Sequence, residues 1–445
     1  MVEQIILHII ATMIVVVAVV HLRHGLVSST SWICLVVSIT SIGPIVAYWL
    51  GLFGHEEFEW FVGMPLMTLI LEIQVAGMVS LWCGHFLTKR GVVRAAILRK
   101  VPPIALPVKW INSRLLYCSL AGAALSVFLS TMGYNGYFTS REFLYDPPLW
   151  FDLVHKSVDL LSVLLFLLAL GEYQDKGRLG IANTVLALAW IAAGFVSGFK
   201  YQVLVPGLYI STAAWISGNL RARHVLMLPV LLFFAYVVVE PLRAMRYEST
   251  HDNALEALIE TINSSDRKFW DPPDVFVQFV RRLDSGDVSI RTLEATEAGG
   301  LQEIRAQIDN AYTNAFMLAV VPRALWAEKP LANLGAQLSF DVDENSGSSM
   351  MPSTNVMSYI WAGFTGVALN SFLLGIFMTI AGQLLVLYGR RPLNFFPVLI
   401  LAFALSLGDT MMAYYYMSCL RNVVAVLLFY FLLSHSGIRM VQRPS

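Results

Sequence analysis

The sequence predicts an all-α protein that crosses a membrane about eleven times and has one large loop outside the cytoplasm. Of its 445 residues, 57% are hydrophobic and 13% are charged, and its mean hydropathy of +0.65 exceeds what a soluble domain of this length tolerates. Apolar runs of about 20 residues, the length that spans a bilayer, recur along the chain. A lipid bilayer is therefore the expected solvent for most of the chain.

Eight apolar runs precede the large loop and three follow it. The expected helices lie at 4–22, 31–53, 60–86, 114–133, 149–170, 179–198, 201–217 and 225–240, and then at 358–387, 394–409 and 412–434. The runs at 201–217 and 394–409 are the weakest, which leaves the count open by one or two. The first run starts at Ile5 with no basic residue before it, so we interpret it as a retained helix rather than a signal peptide.

The placement of lysine and arginine gives the expected orientation, because short cytoplasmic loops are enriched in these residues. Seven basic residues and no acidic residue lie from Lys89 to Arg114, which places that loop inside. Alternation from this loop collects 16 basic residues inside, against only Glu172 and Asp175. We therefore expect a multi-pass protein of the cytoplasmic (inner) membrane, with its N-terminus outside and its C-terminus in the cytoplasm.

The long polar interruption at 244–357 falls outside the cytoplasm by this alternation. Apolar residues at helical spacing within it, such as Leu255, Leu258 and Ile262, predict short helices that lie on the membrane surface. They do not amount to the core of an independent domain. We therefore expect 1–445 to form a single integral membrane domain that includes this extracytoplasmic loop.

Four polar residues recur in the run at 149–170, namely Asp152, His155, Lys156 and Asp159. Their spacing places them on one face of the outer half of the helix, where charges need a partner or a polar cavity. One interpretation is an ion-pair ladder that neutralises itself. The other is one wall of an outward-facing cavity, and the sequence leaves both open.

Three further ionisable residues lie in other predicted helices. Counting back from Leu433 places Arg421 about 18 Å into the membrane, and Glu72 lies at a comparable depth. An ion pair between these two would be structural, whereas Arg421 facing a cavity would bind an anion. Asp409 marks the outer end of the run at 394–409 and is a candidate general base.

The cysteines and carboxylates predict no metal site and no cofactor. Cys34, Cys83, Cys118 and Cys419 fall in or beside apolar runs, without the spacing of zinc ligands or of a disulfide framework. No carboxylate pair has a spacing that suits Mg²⁺ or Mn²⁺.

Several cations lie beside helix ends on the predicted outer side, where acidic residues are in twofold excess. They are Lys200, Arg243, Arg246, Arg323 and Lys329. Guanidinium groups recognise phosphate bidentately, and lysine adds a mobile point charge. Each of these cations, taken singly, could equally be a solvated or ion-paired surface residue. A role in binding an anionic ligand therefore needs further evidence.

That further evidence is a motif. The stretch from Val321 to Pro330 reads VPRALWAEKP, and a glycine-bearing helix start, WAGFTG, follows at 361–366. These elements resemble the Wzy-type oligosaccharide repeat-unit polymerases of bacterial surface polysaccharide assembly, in which a VPR-x-LW-x-x-KP element in the last large external loop precedes such a helix start. The resemblance covers roughly 195–375. The family often has an acidic residue before the glycine-bearing segment, where this chain has Asn355.

The resemblance implies a metal-independent membrane glycosyltransferase of the GT-C type. Such an enzyme moves a growing glycan from undecaprenyl diphosphate to a hydroxyl of an incoming lipid-linked unit, which makes O-antigen or exopolysaccharide. The candidate catalytic residues are then Arg323, Arg246, Lys329 and Asp409. The candidate substrate-binding residues are Lys200, Arg243, Arg421, His155, Lys156 and Trp326. The implied partners are the lipid-linked oligosaccharide, the bilayer, a chain-length regulator and a flippase, and no nucleic acid.

Three points stay open at this stage. An O-antigen ligase is also of the GT-C type, and in this sequence only the Pro-Arg-x-Leu-Trp element favours a polymerase over a ligase. A flippase or secondary transporter would use the polar face at 149–170 as a path, but the repeated halves and broken helices typical of transporters are not found in the sequence. The general base is also open, because Asp409, Glu328, Asp152 and His155 all qualify by position.

Overall fold

The computed structural model describes residues 65–90, 108–135, 149–248, 286–314 and 352–389, together with residues 9, 13, 317, 318, 321 and 326. The helices in these ranges are α1 (Pro65–Arg90), α2 (Val108–Thr131), α3 (Leu149–Lys176), α4 (Ile181–Ser197), α5 (Lys200–Ile216), α6 (Ala222–Glu248), α7 (Gly286–Glu297), α8 (Gln302–Thr313) and α9 (Thr354–Gly389). No β-strand occurs among the residues described, so the all-α prediction is confirmed for them.

Six of the predicted apolar runs in the described ranges correspond to one helix each, with shifted ends, whereas the run at 358–387 falls on α9, in which the chain changes direction at Ala362 and Gly363. By length and composition, three helices can cross a membrane, within the windows Thr68–Thr88, Ser157–Lys176 and Thr354–Ile380. The predicted runs at 4–22, 31–53, 394–409 and 412–434 lie outside the described residues, apart from residues 9 and 13. The described part of the chain is thus helical, with helices suited to a membrane, and the total of about eleven spans stays a prediction.

Helices α2 to α6 pack into one body, termed the five-helix bundle. Its centre is α3, in which the eight residues at 163–170 are all at most 3% exposed. A helix that is apolar on every side is stable when neighbours surround it, and α2, α4 and α5 pack around α3 here. Gly194 of α4 lies against the backbone of Gln202 and Val203 in α5, because no side chain separates the two helices there.

Helices α1, α7, α8 and α9 form a second body, termed the α1–α9 body. Apolar residues of α7 and α8 pack against α1 and the start of α9; they are Ile290, Leu293, Ile304 and Ile308, and their partners are Ile70, Leu71, Ile73, Val356, Met357 and Ile360. The opposite faces of α7 and α8 carry exposed polar residues such as Glu294 and Glu303. These two helices of the predicted large loop therefore pack on protein, and the stretch around Leu255 lies outside the described residues.

Helix α9 is not straight, because the chain changes direction at Ala362 (φ −145°, ψ 30°) and Gly363 (φ 61°, ψ −152°). The hydroxyl of Ser371 donates to Asn355 Oδ1 at 2.9 Å, although a straight helix would separate these residues by about 24 Å. The contact therefore requires a reversal of the chain. The backbone at Gly363 lies in a region that only glycine adopts readily.

The reversal divides α9 into a first arm, 354–361, and a second arm, 364–389. The arms approach so closely that a Cβ on Gly366 would meet the carbonyl oxygen of Ser358. Because the membrane-length window in α9 includes the reversal, only the second arm counts as a continuous rod. At 1.5 Å per residue it is about 39 Å long, which is enough to span a bilayer.

Helix α1 packs along α9 through glycines. A Cβ on Gly84 would meet the carbonyl oxygen of Phe372, and a Cβ on Gly375 would meet that of Leu81. Small residues that let helix backbones touch are typical of helix pairs in membranes. The second arm also reaches the five-helix bundle, since Phe377 packs against the bundle core.

Candidate functional site

A chain of buried polar side chains joins both arms of α9 to the middle of α1. Ser371 Oγ donates to Asn355 Oδ1, Asn355 Nδ2 donates to Gln74 Oε1 at 2.8 Å, and Gln74 Nε2 donates to Ser353 Oγ at 2.6 Å. Ser353 Oγ also accepts from the backbone N–H of Val356 and so caps the first arm. Buried networks whose members are satisfied rigidify a structure, so this chain fixes the base of the hairpin.

Asn355 occupies the centre of this network, at the position where the resemblance leads one to expect a carboxylate. Its amide both donates and accepts, and it is 8% exposed. A Cβ on Gly77 of α1 would overlap that amide, so glycine is needed opposite Asn355. The role of Asn355 visible here is to hold α1 and α9 together.

The turn of the hairpin is contacted by α8. Arg305 Nε donates to the carbonyl oxygen of Ile360 at 2.8 Å, and Asp309 Oδ1 accepts from Trp361 Nε1 at 2.6 Å. Arg305 and Asp309 are four residues apart and therefore lie on one face of α8. Their side chains hold the last residues of the first arm, next to the reversal.

Tyr312, one turn further along α8, completes this contact. Its ring stacks on Trp361, with centroids 4.2 Å apart and planes at 18°, and its hydroxyl donates to Asn370 Oδ1 at 2.6 Å. Tyr312 thereby touches both arms of α9. The predicted glycine-bearing segment, 361–366, is thus the turn of the hairpin and is flanked by a helix of the predicted large loop.

A second polar region lies along α3 and the first part of α5. The ring of Tyr209 in α5 packs against Phe166 of α3, with centroids 6.1 Å apart, and one turn before Phe166 the hydroxyl of Ser162 donates to the carbonyl oxygen of Asp159 at 2.7 Å. Lys200, the first residue of α5, precedes Tyr201. The predicted polar face of α3 and the predicted cation Lys200 therefore belong to the same end of the five-helix bundle, which alternation assigns to the outer side.

The opposite end of the bundle has a different polar cluster. His224 is 5% exposed; its Nδ1 accepts from the backbone N–H of Arg221 at 3.0 Å, and its Nε2 lies 2.8 Å from the hydroxyl of Tyr173. Burial lowers the pKa of His224, and the neighbouring charges of Arg223 and Arg221 lower it further. Because Nδ1 accepts, the neutral ring carries its proton on Nε2 and donates it to Tyr173.

The remaining predicted site residues are only partly covered. Arg323, Glu328, Lys329, Asp409 and Arg421 lie outside the described residues. Arg243 and Arg246 lie on the last turns of α6, and Asp152 and Lys156 lie on the first turns of α3, but the described part includes none of these four side chains. His155, Trp326 and Glu72 are half-buried. No contact among the predicted catalytic residues is therefore described, and their roles stay predictions.

The sequence alone does not mark the residues that hold the hairpin, except for Asn355, which departs from the family pattern. A signal existed for Gln74, because a polar side chain inside an apolar run needs a partner. A weaker signal existed for Arg305, Asp309 and Tyr312, which share one face of an amphipathic stretch. Their partners on α9 could not be inferred, because the reversal was not foreseen.

Comparisons with protein-family models, curated proteins and solved structures give no match for this chain. The resemblance through 321–330 and 361–366 therefore depends on those residues alone. Within the described ranges, no group of three or more His, Cys, Asp and Glu side chains is arranged to hold a metal ion.

Proposed function

We propose that the protein polymerises undecaprenyl-diphosphate-linked oligosaccharide repeat units into a surface polysaccharide at the outer face of the cytoplasmic membrane. The observation that carries the proposal is the place of the family-like segment 361–366 at the reversal of α9. Helix α8 of the predicted large loop holds that reversal. A site built on rigid helices positions its groups more accurately than one on a free loop.

The proposed chemistry needs positive charge more than it needs a metal. As the bond between the sugar and the lipid diphosphate breaks, the diphosphate leaves with up to about three negative charges, which fixed cations can offset in a site of low dielectric constant. The candidate cations are Lys200, Arg243, Arg246, Arg323 and Lys329. The acceptor hydroxyl attacks the anomeric carbon and gives up its proton to a general base, for which the candidates are Asp409, Glu328, Asp152 and His155.

Purified protein in nanodiscs, supplied with lipid-linked repeat units, tests the proposal directly. Glycan ladders should lengthen with time, and excess EDTA should leave the rate nearly unchanged. Absence of any elongation by well-folded protein would contradict the proposed activity. Loss of elongation in EDTA, restored by one divalent ion, would instead replace the cation mechanism by a metal-dependent one.

Single cation substitutions test which groups act on the diphosphate. Arg323→Ala, Arg246→Ala and Lys329→Ala should each abolish polymer at normal protein levels, whereas Arg281→Ala and Arg291→Ala in the same loop should not. Arg323→Lys should also fail if the contact is bidentate, because an ammonium cannot reproduce the planar guanidinium fork. Polymer of normal length in the Ala variants would rule out the assigned roles.

The orientation can be tested separately with single cysteines and an impermeant maleimide applied to intact cells. Ser285→Cys, in the predicted large loop, should be labelled, and Ile97→Cys, in the basic loop, should not. The reverse pattern would place the large loop in the cytoplasm and would overturn an external active site.

The reversal in α9 also favours a second candidate, a lipid-linked-glycan flippase or transporter, because such proteins often bind substrate at discontinuous helices. A deletion strain distinguishes the candidates. Loss of a polymerase leaves single repeat units on the outer leaflet, and loss of a flippase leaves them on the inner leaflet. Loss of an O-antigen ligase, the third alternative, leaves finished polymer on the lipid carrier.

A further inference from the structure

The reversal of α9 leaves backbone carbonyl groups without intrahelical partners, and a side chain of α8 donates to one of them. A helix that stops leaves its last carbonyl groups without intrahelical partners, and the first arm stops at the non-helical residues Ala362 and Gly363. The carbonyl oxygen of Ile360 is one of these groups, and it accepts from Arg305 Nε at 2.8 Å. A cation at a helix C-terminus is also favoured by the helix dipole. Arg305 therefore caps the first arm.

Arg305 acts from a helix that is itself fixed. Its neighbours Ile304 and Ile308 are fully buried in the α1–α9 body, so α8 cannot shift without exposing them. From the same helix Asp309 and Tyr312 hold the indole of Trp361 by a hydrogen bond and a stacked ring. By contrast, the network through Asn355 holds the base of the hairpin rather than its turn.

We propose that Arg305 is a positioning residue that fixes the reversal of α9, and with it the segment 361–366, by capping the first arm, while Asp309 holds Trp361 in place. The consequence for polymerisation depends on the function proposed above; the effect on the reversal does not. A small displacement of a segment that orients substrate lowers turnover by up to about 100-fold, so the loss should appear in kcat more than in KM.

The test combines hydrogen exchange with kinetics on the full chain in nanodiscs. In Arg305→Ala, amides at 355–362 should exchange about tenfold faster, since a charge-assisted hydrogen bond is lost, and kcat should fall by about 10-fold to 100-fold. Arg305→Gln keeps an N–H donor without the charge and should restore most of both properties. Gln302→Ala, an exposed residue on the same helix, should change neither.

Asp309 supplies an independent pair of variants. Asp309→Asn keeps an oxygen that can accept from Trp361 and should behave like wild type, whereas Asp309→Leu should accelerate exchange at 355–362 as Arg305→Ala does. The proposal is overturned if exchange in Arg305→Ala matches wild type. If wild type forms no polymer, the proposed function fails and the exchange data still decide the positioning role.

Discussion

The five-helix bundle and the α1–α9 body contain helices of similar length, but different contacts hold them together. In the bundle, α3 is surrounded by apolar side chains along 163–170, and polar links such as the one through Ser119 involve a single hydroxyl. In the α1–α9 body, amide side chains form a buried network around Asn355, and backbones touch at Gly84 and Gly375.

This difference predicts how each body responds to change. Apolar side chains can adopt other rotamers and repack at modest cost, whereas a backbone carbonyl or a buried amide network has little freedom to adjust. Apart from Gly194, where the backbones of α4 and α5 touch, the bundle should therefore tolerate small substitutions, and the α1–α9 body should not. A region that depends on fixed geometry is also the more suitable place for a substrate site.

The largest effect is expected from Asn355→Asp. Gln74 can rotate its amide to donate to the new carboxylate, but a charge then lies at a position that is 8% exposed. An uncompensated buried charge costs about 3–5 kcal/mol, and the cost should fall at low pH, where the carboxyl group becomes neutral. Thermal unfolding of detergent-solubilised protein at pH 5 and pH 8 measures both effects.

The matched substitution in the bundle is Ser119→Ala. Ser119 Oγ accepts from Trp190 Nε1 and donates to the carbonyl oxygen of Leu161, so its loss should cost about 1–2 kcal/mol. If Asn355→Asp lowers the free energy of unfolding by no more than Ser119→Ala does, the two bodies do not differ in the way proposed here.

A smaller effect is expected where backbones touch. Gly84→Ala should destabilise the protein by about 3 kcal/mol, near the upper end for overpacking, because the obstructing atom is the carbonyl oxygen of Phe372. Gly207→Ala in the bundle meets only side-chain atoms, 2.7 Å to Leu231 Cδ1 and 3.2 Å to Leu228 Cδ2. These leucines can rotate, so its cost should stay near 1 kcal/mol. Equal shifts in melting temperature for Gly84→Ala and Gly207→Ala would show that α1 and α9 can move apart enough to admit a methyl group without extra cost.

The two bodies also differ in how well the sequence predicted them. Each bundle helix follows from one apolar run, because hydropathy and helix length determine where a chain can span a membrane. The reversal in α9 did not follow, since the run at 358–387 is apolar on both sides of Ala362 and Gly363. Hydropathy indicates whether a segment lies in lipid or in water, but it does not indicate where the chain turns back. A glycine inside an apolar run is too common to mark a reversal.

The contacts around the hairpin were not predicted, for a similar reason. The sequence predicts a helix start at 361–366, and this segment contains both the reversal and the first residues of the second arm. The contacts of Arg305, Asp309 and Tyr312 with that turn join residues more than 50 positions apart. Such contacts depend on how distant helices pack in the fold. Composition and residue spacing along a single sequence do not determine that packing.

The smallest effect concerns the bundle at its predicted cytoplasmic end, where burial lowers the pKa of His224. The unfolded chain binds a proton near pH 6.5, whereas the folded chain binds it only at lower pH. Stability contributed by neutral His224 is therefore complete above about pH 6.5 and is lost as the pH falls toward the folded-state pKa. The hydrogen bond that Arg221 N–H donates to Nδ1 is lost on protonation.

His224→Gln isolates this contribution, because it removes the titrating group and leaves the other charges of the protein in place. The melting temperature of wild type should exceed that of the variant by a few degrees at pH 7.5, and the difference should shrink as the pH is lowered through 6.5 to 5. Tyr173→Phe, which removes only the partner hydroxyl, should lower stability and leave the ring free to titrate, so its difference from wild type should vary less with pH. A constant difference for His224→Gln would mean that the ring binds its proton at the same pH in the folded and the unfolded chain, and burial would then not lower the pKa of His224.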